Sequence, residues 1–327
     1  MAMSPTLPRT RESARDGPPA ANGSVELVPP RGQARRLLSS VPFVMVHLAC
    51  GLAIVYPPTR PLVALAAGSY LLRMWAITAG YHRYFSHHSF RTSRAFQFVL
   101  ALLGATAMQQ GPLWWASWHR RHHKYADTPD DPHSPVVSGF WHAHVGWIFD
   151  GRHDDADLSN VRDLTRFPEL RFLDRHSYLP LIAYAAACFA IAGMPGVVWG
   201  FVVSTIAVAH ATFCINSLAH VWGSRRWDTP DQSRNNAALA AITLGEGWHN
   251  NHHYYMSSAR QGFLWWEVDP SYYSIRLLEV LRLVWNVRVP PPAVCTTRGR
   301  SAADPDTRTR FQPAGQREMR EGQARTP

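Results

Sequence analysis

Four apolar stretches alternate with polar segments along the chain, at residues 37–56, 61–80, 179–192 and 197–219. A helix of about 20 apolar residues crosses the hydrocarbon core of a bilayer, and the first two stretches are just long enough. Proline- or glycine-rich links at 57–60 and 193–196 separate the members of each pair and are typical of tight turns. The pattern therefore predicts an all-α integral membrane protein with four transmembrane helices in two hairpins.

The remaining segments predict what surrounds these helices. A shorter apolar stretch at 95–108 ends at Gln-Gln-Gly-Pro and favours a helix on the surface or in the core over a fifth span. Residues 1–36 and 298–327 are polar and arginine-rich without apolar periodicity, which predicts two disordered tails and no secretory signal. Residues 37–297 then form one membrane domain, in which 81–178 and 220–297 make a helical cap.

The charge distribution orients this layout. The chain has 33 Lys and Arg against 23 Asp and Glu, a formal net charge of +10. Arginines cluster before the first and third spans and after the second and fourth, whereas the two hairpin tips share only Arg60. By the positive-inside rule, both termini and the cap are cytoplasmic. Basic residues spread in this way do not predict nucleic-acid binding. Arg73 lies within the second span and is expected to face protein or the water boundary.

Composition removes several other classes of protein. Hydrophobic residues make up 46% of the chain and charged residues only 17%, below the usual quarter. Cys50, Cys188, Cys214 and Cys295 show no paired spacing, which predicts reduced packing residues without a disulfide framework or a cysteine-rich zinc site.

Three histidine clusters carry the candidate chemistry. Their eight members are His82, His87, His119, His122, His123, His249, His252 and His253. Neutral imidazole is the commonest protein metal ligand, and eight rings exceed what one ion can use. The clusters therefore indicate two metal ions in one pocket. His220 adds a ninth ring four residues after Asn216, whose amide could hold a metal-bound water.

Helix geometry predicts which rings converge. The i, i+3, i+4 spacing of the second and third clusters places each cluster on one helix face, within about 100°. His82 and His87 are about 140° apart on an α-helix, so they serve different metals or the helix distorts between them. Without thiolates, His-Glu-x-x-His or a haem attachment motif, iron, copper and zinc all remain chemically possible.

The other histidines are given ordinary roles. His47, His210 and His176 are predicted to be hydrogen-bonded core residues, and His88 is left out of the ligand set. His133, His142, His144 and His153 are predicted to lie behind the ligands or on the surface. The pairs Trp114-Trp115 and Trp265-Trp266 are predicted to be packing or interface aromatics.

At the clusters the chain resembles the membrane fatty-acid desaturases, particularly the bacterial acyl-CoA (stearoyl-type, delta-9) desaturases. The resemblance spans residues 40–292. The matching strings are GYHRYFSH at 80–87, HRRHHK at 119–124, DPHSP at 131–135, NSLAH at 216–220 and GEGWHNNHH at 245–253.

The resemblance implies two irons held by nine histidines and by one water on Asn216. The implied ligands are His82, His87, His119, His122, His123, His220, His249, His252 and His253, with no catalytic residue separate from them. It also implies that O2 is the co-substrate, that a cis double bond is introduced at delta-9 into a saturated acyl chain, and that the site faces the cytoplasm of a bacterial inner membrane. No cytochrome b5-type haem motif is present, so electrons would come from a separate ferredoxin or cytochrome b5-like protein with its reductase.

One departure keeps the acyl carrier open. Animal acyl-CoA enzymes of this family carry Arg-Asp before the second histidine box, where this chain has Ser117-Trp118. Acyl-CoA is favoured over a lipid-bound acyl group, and no substrate-binding residue is assigned. A hydroxylase, a sterol or alkane oxidase and a metal transporter are the alternative functions.

Overall fold

The computed structural model describes residues 33–151 and 155–296, and in them the protein is mostly helical. The α-helices are α1 (Gln33–Ala49), α2 (Leu52–Val55), α3 (Arg60–Trp75), α4 (Arg94–Ala105), α5 (Pro112–Tyr125), α6 (Pro135–Ser138), α7 (Phe140–His144), α8 (Arg162–Thr165), α9 (Pro168–Arg175), α10 (Tyr178–Gly196), α11 (Ser204–Asn216), α12 (Ala237–Ile242), α13 (His249–Tyr254), α14 (Pro270–Val280) and α15 (Pro292–Thr296).

Shorter elements complete the described part of the chain. Two segments are π-helical, Ala76–Ser86 and Val197–Val203. The 3₁₀ turns are Gly146–Phe149, Leu158–Val161 and Leu218–His220. β1 (Arg91–Thr92) and β2 (Val284–Trp285) form a small antiparallel ribbon with Arg91 opposite Trp285.

Two helices in the described residues are long and apolar enough to cross a membrane, Arg60–Ser86 and Tyr178–His220. The second contains both predicted stretches 179–192 and 197–219, and its backbone leaves the helical region at Ala192 and Gly193, where Gly193 has φ 62°. A Cβ on Gly200 would lie only 3.0 Å from Cys188 Sγ, although twelve residues of straight helix span about 18 Å. The chain therefore reverses direction here. The turn begins at Ala192, one residue before the predicted link 193–196.

The first predicted span is shorter and less regular than expected. Its apolar part, Ser40–Val55, combines most of α1 with α2 through a 3₁₀-type turn at Cys50 and Gly51. Helix α1 also starts at Gln33, inside the predicted tail 1–36. The rest of that tail and the tail 298–327 lie outside the described residues. The four cysteines are free thiols, as predicted.

The core surrounds the π-helical segment that follows α3. Helix α4 packs one face, including Leu100 and Gly104, against this segment, so the stretch predicted at 95–108 is a core helix. A Cβ on Gly104 would lie 2.2 Å from the Tyr81 ring, so only glycine permits this approach. Helix α5 packs on the same segment. The first and second histidine clusters are thereby brought side by side.

Arg73 is buried inside the first long helix, as predicted for a charge in a membrane span. Its guanidinium donates hydrogen bonds to Thr205 Oγ1 at 2.6 Å, to Ser204 Oγ and to the Thr106 carbonyl at 3.3 Å. It also lies 4.9 Å from the centre of the Tyr184 ring. The charge therefore ties α3 to α4 and to the hairpin formed by α10 and α11.

We expect Arg73→Ala to lower the free energy of unfolding by about 2–3 kcal/mol, because it removes charged hydrogen bonds and opens a cavity. Arg60→Ala is the control, since Arg60 is exposed at the start of the same helix and its loss should cost less than ~0.5 kcal/mol. Thermal unfolding in detergent measures both. Equal stability of the two variants would show that Arg73 does not join these helices.

Candidate metal centre

The π-helical segment decides where the first two histidines point. In this segment backbone bonds run from residue i to i+5, and the His87 amide donates to the His82 carbonyl at 3.3 Å. Residues five apart then lie on one face, and the two rings have centroids 4.8 Å apart. Of the two predicted outcomes, helix distortion is the correct one, and both rings enter the same group.

The nine predicted histidines gather into two groups whose ligand atoms lie within 4.8 Å of one another. We name them by their number of rings. The five-histidine group contains His82, His87, His119, His123 and His252. The four-histidine group contains His122, His220, His249 and His253.

Helices α5 and α13 each contribute to both groups. On α5, His119 and His123 belong to the five-histidine group and His122 to the other; on α13, His249 and His253 join the four-histidine group and His252 the five-histidine group. Around a helix, position i+4 lies about 40° from position i, and position i+3 lies on the opposite side of i. One helix face can therefore serve two neighbouring sites. The rings of each of these two clusters therefore do not share one point but divide between the two groups, and their binding of metal stays a prediction.

The spacing of the ring nitrogens is that of a coordination sphere. Nε2–Nε2 separations are 2.8 Å for His87–His119, 2.9 Å for His119–His123 and 3.1 Å for His220–His249. Two imidazole nitrogens bound at about 2.1 Å and at right angles on one ion are about 3.0 Å apart.

In four of these rings, Nδ1 faces away from the group and donates a hydrogen bond to a carboxylate. Asp131, Asp127 and Asp231 accept from Nδ1 of His122, His220 and His253 at 3.1, 2.9 and 3.0 Å, and Glu246 accepts from Nδ1 of His82. A carboxylate accepts only, so Nδ1 carries the proton and Nε2 keeps a lone pair directed at the group.

The buried His253 Nε2 has no hydrogen-bond partner among the described residues, as a metal ligand requires. The donor set therefore fits metal ions.

The protonation states favour metal binding as well. Burial, reinforced by neighbouring histidines, holds the pKa of five rings well below its ordinary value: His87, His119, His123, His249 and His252. Burial alone would raise the pKa of the buried aspartates, but the attraction of their histidine partners lowers the pKa of Asp131 and Asp231 instead. Neutral imidazole and ionised carboxylate are the forms that a cation needs.

A cavity of about 340 Å³ reaches the five-histidine group at His119. Its wall includes Trp114, Trp115, Trp118 and Trp147, and the Trp115 ring stacks on His119 with centroids 4.8 Å apart. Trp114 and Trp115, predicted to be packing or interface aromatics, therefore pack around a cavity. Trp265 is 85% exposed, in agreement with an interface role. Asn216 lines the cavity, and its role through water stays a prediction.

The histidines outside the two groups make ordinary contacts. His47 Nε2 and His210 Nε2 are 3.0 Å apart, so these two are hydrogen-bonded as predicted, although they are only half-buried. His144 bonds to His210 and Ser217 at 3.0 Å.

Five more rings remain from the sequence predictions. His88 contacts Asp163 at 2.8 Å, His142 lies 3.8 Å from Asp150, and His133 lies 3.6 Å from Asp131 behind His122. His176 is half-buried beside the Tyr178 hydroxyl, and His153 lies outside the described residues.

The sequence predictions missed the carboxylates on the ligand rings. Asp127, Asp231 and Glu246 lie in polar stretches without periodicity, and they meet their histidines across separations of up to 164 residues. Only the presence of acidic residues close to the histidine clusters could have suggested them.

Comparison with known proteins agrees with this centre. The family model described as "Fatty acid desaturase" matches residues 59–274. "Acyl-CoA C20 Delta5-desaturase" of Anemone leveillei is 41% identical over 220 residues, 66% of this chain and 70% of that protein. "Delta-9 acyl-lipid desaturase 1" of Arabidopsis thaliana is 38% identical over 250 residues, 76% of this chain and 81% of that protein.

A further relative is the "Palmitoyl-monogalactosyldiacylglycerol delta-7 desaturase, chloroplastic" of Arabidopsis thaliana, 40% identical over 235 residues, 71% of this chain and 63% of that protein. The family model covers the long helix Arg60–Ser86, the hairpin of α10 and α11, and every histidine of the two groups. With 41% identity over 70% of the Anemone protein as well, the chain belongs to the fatty acid desaturase family.

Proposed function

We propose that this protein is a membrane-bound, iron- and O2-dependent desaturase that introduces a cis double bond, at delta-9, into a saturated fatty acyl chain. One observation carries the proposal: nine imidazoles gather into two compact groups, and a largely apolar cavity reaches the five-histidine group at His119. Compact groups disfavour a metal transporter, whose ligands would follow a pathway through the membrane.

The five-histidine group would hold one iron, and the four-histidine group would hold the second together with a water on Asn216. Bound iron would supply one-electron redox chemistry and the activation of O2. The balance of the reaction requires a partner: two hydrogens leave the acyl chain, and two further electrons and two protons complete the reduction of O2 to two waters. A separate ferredoxin or cytochrome b5-like protein with its reductase would supply those electrons.

The protein's own residues position the substrate. The tryptophan-lined wall of the cavity would bind the acyl chain and exclude water, and the stacking of Trp115 on His119 places that wall directly beside a ligand ring. Positioning counts here because the methylene groups to be oxidised carry no polar handle for recognition. The selectivity for one pair of carbons would follow from the depth of the chain in the cavity.

Acyl-CoA is our proposed carrier, and a lipid-bound acyl group is the second candidate. The relative from Anemone leveillei is named for acyl-CoA, and that from Arabidopsis thaliana for acyl-lipid. Four spans, with both termini and the metal centre on the cytoplasmic side of a bacterial inner membrane, complete the proposal. The flanking arginines and the reversal of the chain at Gly193 support this arrangement.

We expect His119→Ala and His122→Ala to remove one iron each and to lower desaturation at least a hundredfold, because each ring belongs to a different group. His88→Ala is the matched control. His88 follows His87 in the sequence, but its ring pairs with Asp163 and Arg120 and belongs to neither group. Iron analysis measures the metal content of each variant, and turnover with a supplied ferredoxin system measures its desaturation. Near-normal turnover in the first two variants would refute the ligand assignment.

Product analysis tests the reaction and the carrier. Purified iron-loaded protein with O2 and a ferredoxin system should convert stearoyl-CoA to a product lighter by two hydrogens, with a cis double bond at delta-9. Mass spectrometry separates this alkene from the alcohol that a hydroxylase would form. Conversion of a stearoyl glycerolipid in vesicles, with stearoyl-CoA left unchanged, would favour the lipid-bound carrier.

Labelling of single cysteines tests the topology. In a background with the four native cysteines replaced by serine, Thr59→Cys at the first hairpin tip should react with an impermeant maleimide in intact cells. Asp130→Cys in the cap should react only after lysis. Both positions are exposed, so access depends on the side of the membrane. Reaction of Asp130→Cys in intact cells would contradict a cytoplasmic metal centre.

A further inference from the structure

The two histidine groups differ in the charge that surrounds them. In the four-histidine group, three of the four rings carry an aspartate on Nδ1, namely Asp127, Asp131 and Asp231. In the part of the chain that the structure describes, no arginine or lysine forms an ion pair with these three carboxylates. Their other neighbours are backbone amides and hydroxyls, such as Ser233 N at 2.9 Å from Asp231, and the His133 ring at 3.6 Å from Asp131. Three uncompensated negative charges therefore surround this group.

The five-histidine group has a single carboxylate on its rings. Glu246 bonds Nδ1 of His82, and the same carboxylate pairs with the buried Arg83 guanidinium at 3.1 Å. The neighbouring side chain, Gln261, is an uncharged amide that donates to Glu246. Nδ1 of His123 is buried without a hydrogen-bond partner among the described residues. Arg83 also pairs with Asp269 at 2.9 Å, so these two carboxylates and one guanidinium leave one net negative charge beside five rings, against three beside the other group.

Burial increases the difference between the groups. All four rings of the four-histidine group are buried, whereas His87, His119 and His123 of the other group are partly exposed. Charges act more strongly on a cation where water is excluded, because the effective dielectric constant is lower. The field at the four-histidine group is therefore less screened by water than the field at the three partly exposed rings of the other group.

We propose that Asp127, Asp131 and Asp231 are positioning residues that make the four-histidine group the high-affinity half of the metal centre, so that the two halves fill in order. The proposal rests on the proposed function only in taking the two groups as metal sites. Each aspartate fixes one ring with its Nε2 lone pair inward and adds an uncompensated charge that attracts a divalent cation.

The number of ligands favours the other group, and the two effects must be weighed. The five-histidine group offers one more imidazole, but that ligand is neutral and replaces a water. Outer carboxylates are worth roughly 10–100-fold in metal affinity each, and here three in one group stand against one in the other. Even if their effects add only in part, the carboxylates outweigh the single extra ring.

Titration of metal-free, full-length protein in detergent with Co²⁺ alone tests the order of filling. Absorbance of Co²⁺ bound to imidazoles reports occupancy without any desaturase activity. We expect two phases of one ion each, with affinities at least tenfold apart. His249→Ala should remove the tight phase, and His119→Ala should remove the weak one. A single phase of two equivalent ions, or the reverse assignment, would overturn the proposal.

Asparagine variants test the role of charge. Asp131→Asn and Asp231→Asn keep a side-chain acceptor near Nδ1 but lose the charge, and each should weaken the tight phase about 10–100-fold while the weak phase changes less than about threefold. Glu246→Gln is the matched variant of the other group and should affect the weak phase alone. An equal loss in both phases would indicate a merely structural role and refute the proposal.

The wild-type titration decides the order even where an asparagine variant does not fold. Two-phase binding by a protein that desaturates nothing would leave this inference standing and refute the proposed function. Desaturation by a protein with a single binding phase would refute this inference and leave the proposed function standing.

Discussion

The hydrogen bond from an imidazole Nδ1 to a buried carboxylate is the interaction on which the rest of the metal centre depends. It fixes the tautomer and the orientation of four rings, three in the four-histidine group and one in the five-histidine group, and it leaves the Nε2 lone pair of each ring directed into its own group. Lone pairs so arranged repel each other, and a cation between them relieves that repulsion. The two histidine groups are therefore organised around a charge that a bound metal ion would supply.

The elements that carry the rings explain why the backbone departs from regular helix. A π-helical segment brings His82 and His87 onto one face, and a 3₁₀ turn ends at His220, so that each ring reaches its group. Helices α5 and α13 stay regular because positions i, i+3 and i+4 already separate into two sets. Departure from α-helical geometry thus occurs where the sequence spacing does not suit the site.

Much of this arrangement could be predicted from the sequence, and the reasons differ by residue. Spacing identified the nine rings and the burial of Arg73, because helix periodicity and the cost of charge in lipid are local properties. The division of each cluster between two groups depends on how α5 and α13 pack, which the spacing alone does not contain. The aspartates were missed for the same reason: Asp127 meets His220 only through the fold. The position of Trp115 in a cavity wall could not be predicted, because a packing aromatic and a cavity wall have the same sequence pattern.

The buried pair of Arg83 and Glu246 connects the metal centre to the membrane part of the fold. Arg83 follows His82 in the long helix Arg60–Ser86, and its guanidinium also binds Asp269 at 2.9 Å. Asp269 in turn caps α14 by accepting from the backbone N–H of Tyr272, and it also accepts from the backbone N–H of Gln261. Burying three charges costs solvation energy, and such networks are retained when they impose one arrangement of elements. Here that arrangement sets the direction of the His82 ring, because Arg83 and Gln261 hold the Glu246 carboxylate where it accepts from Nδ1 of His82.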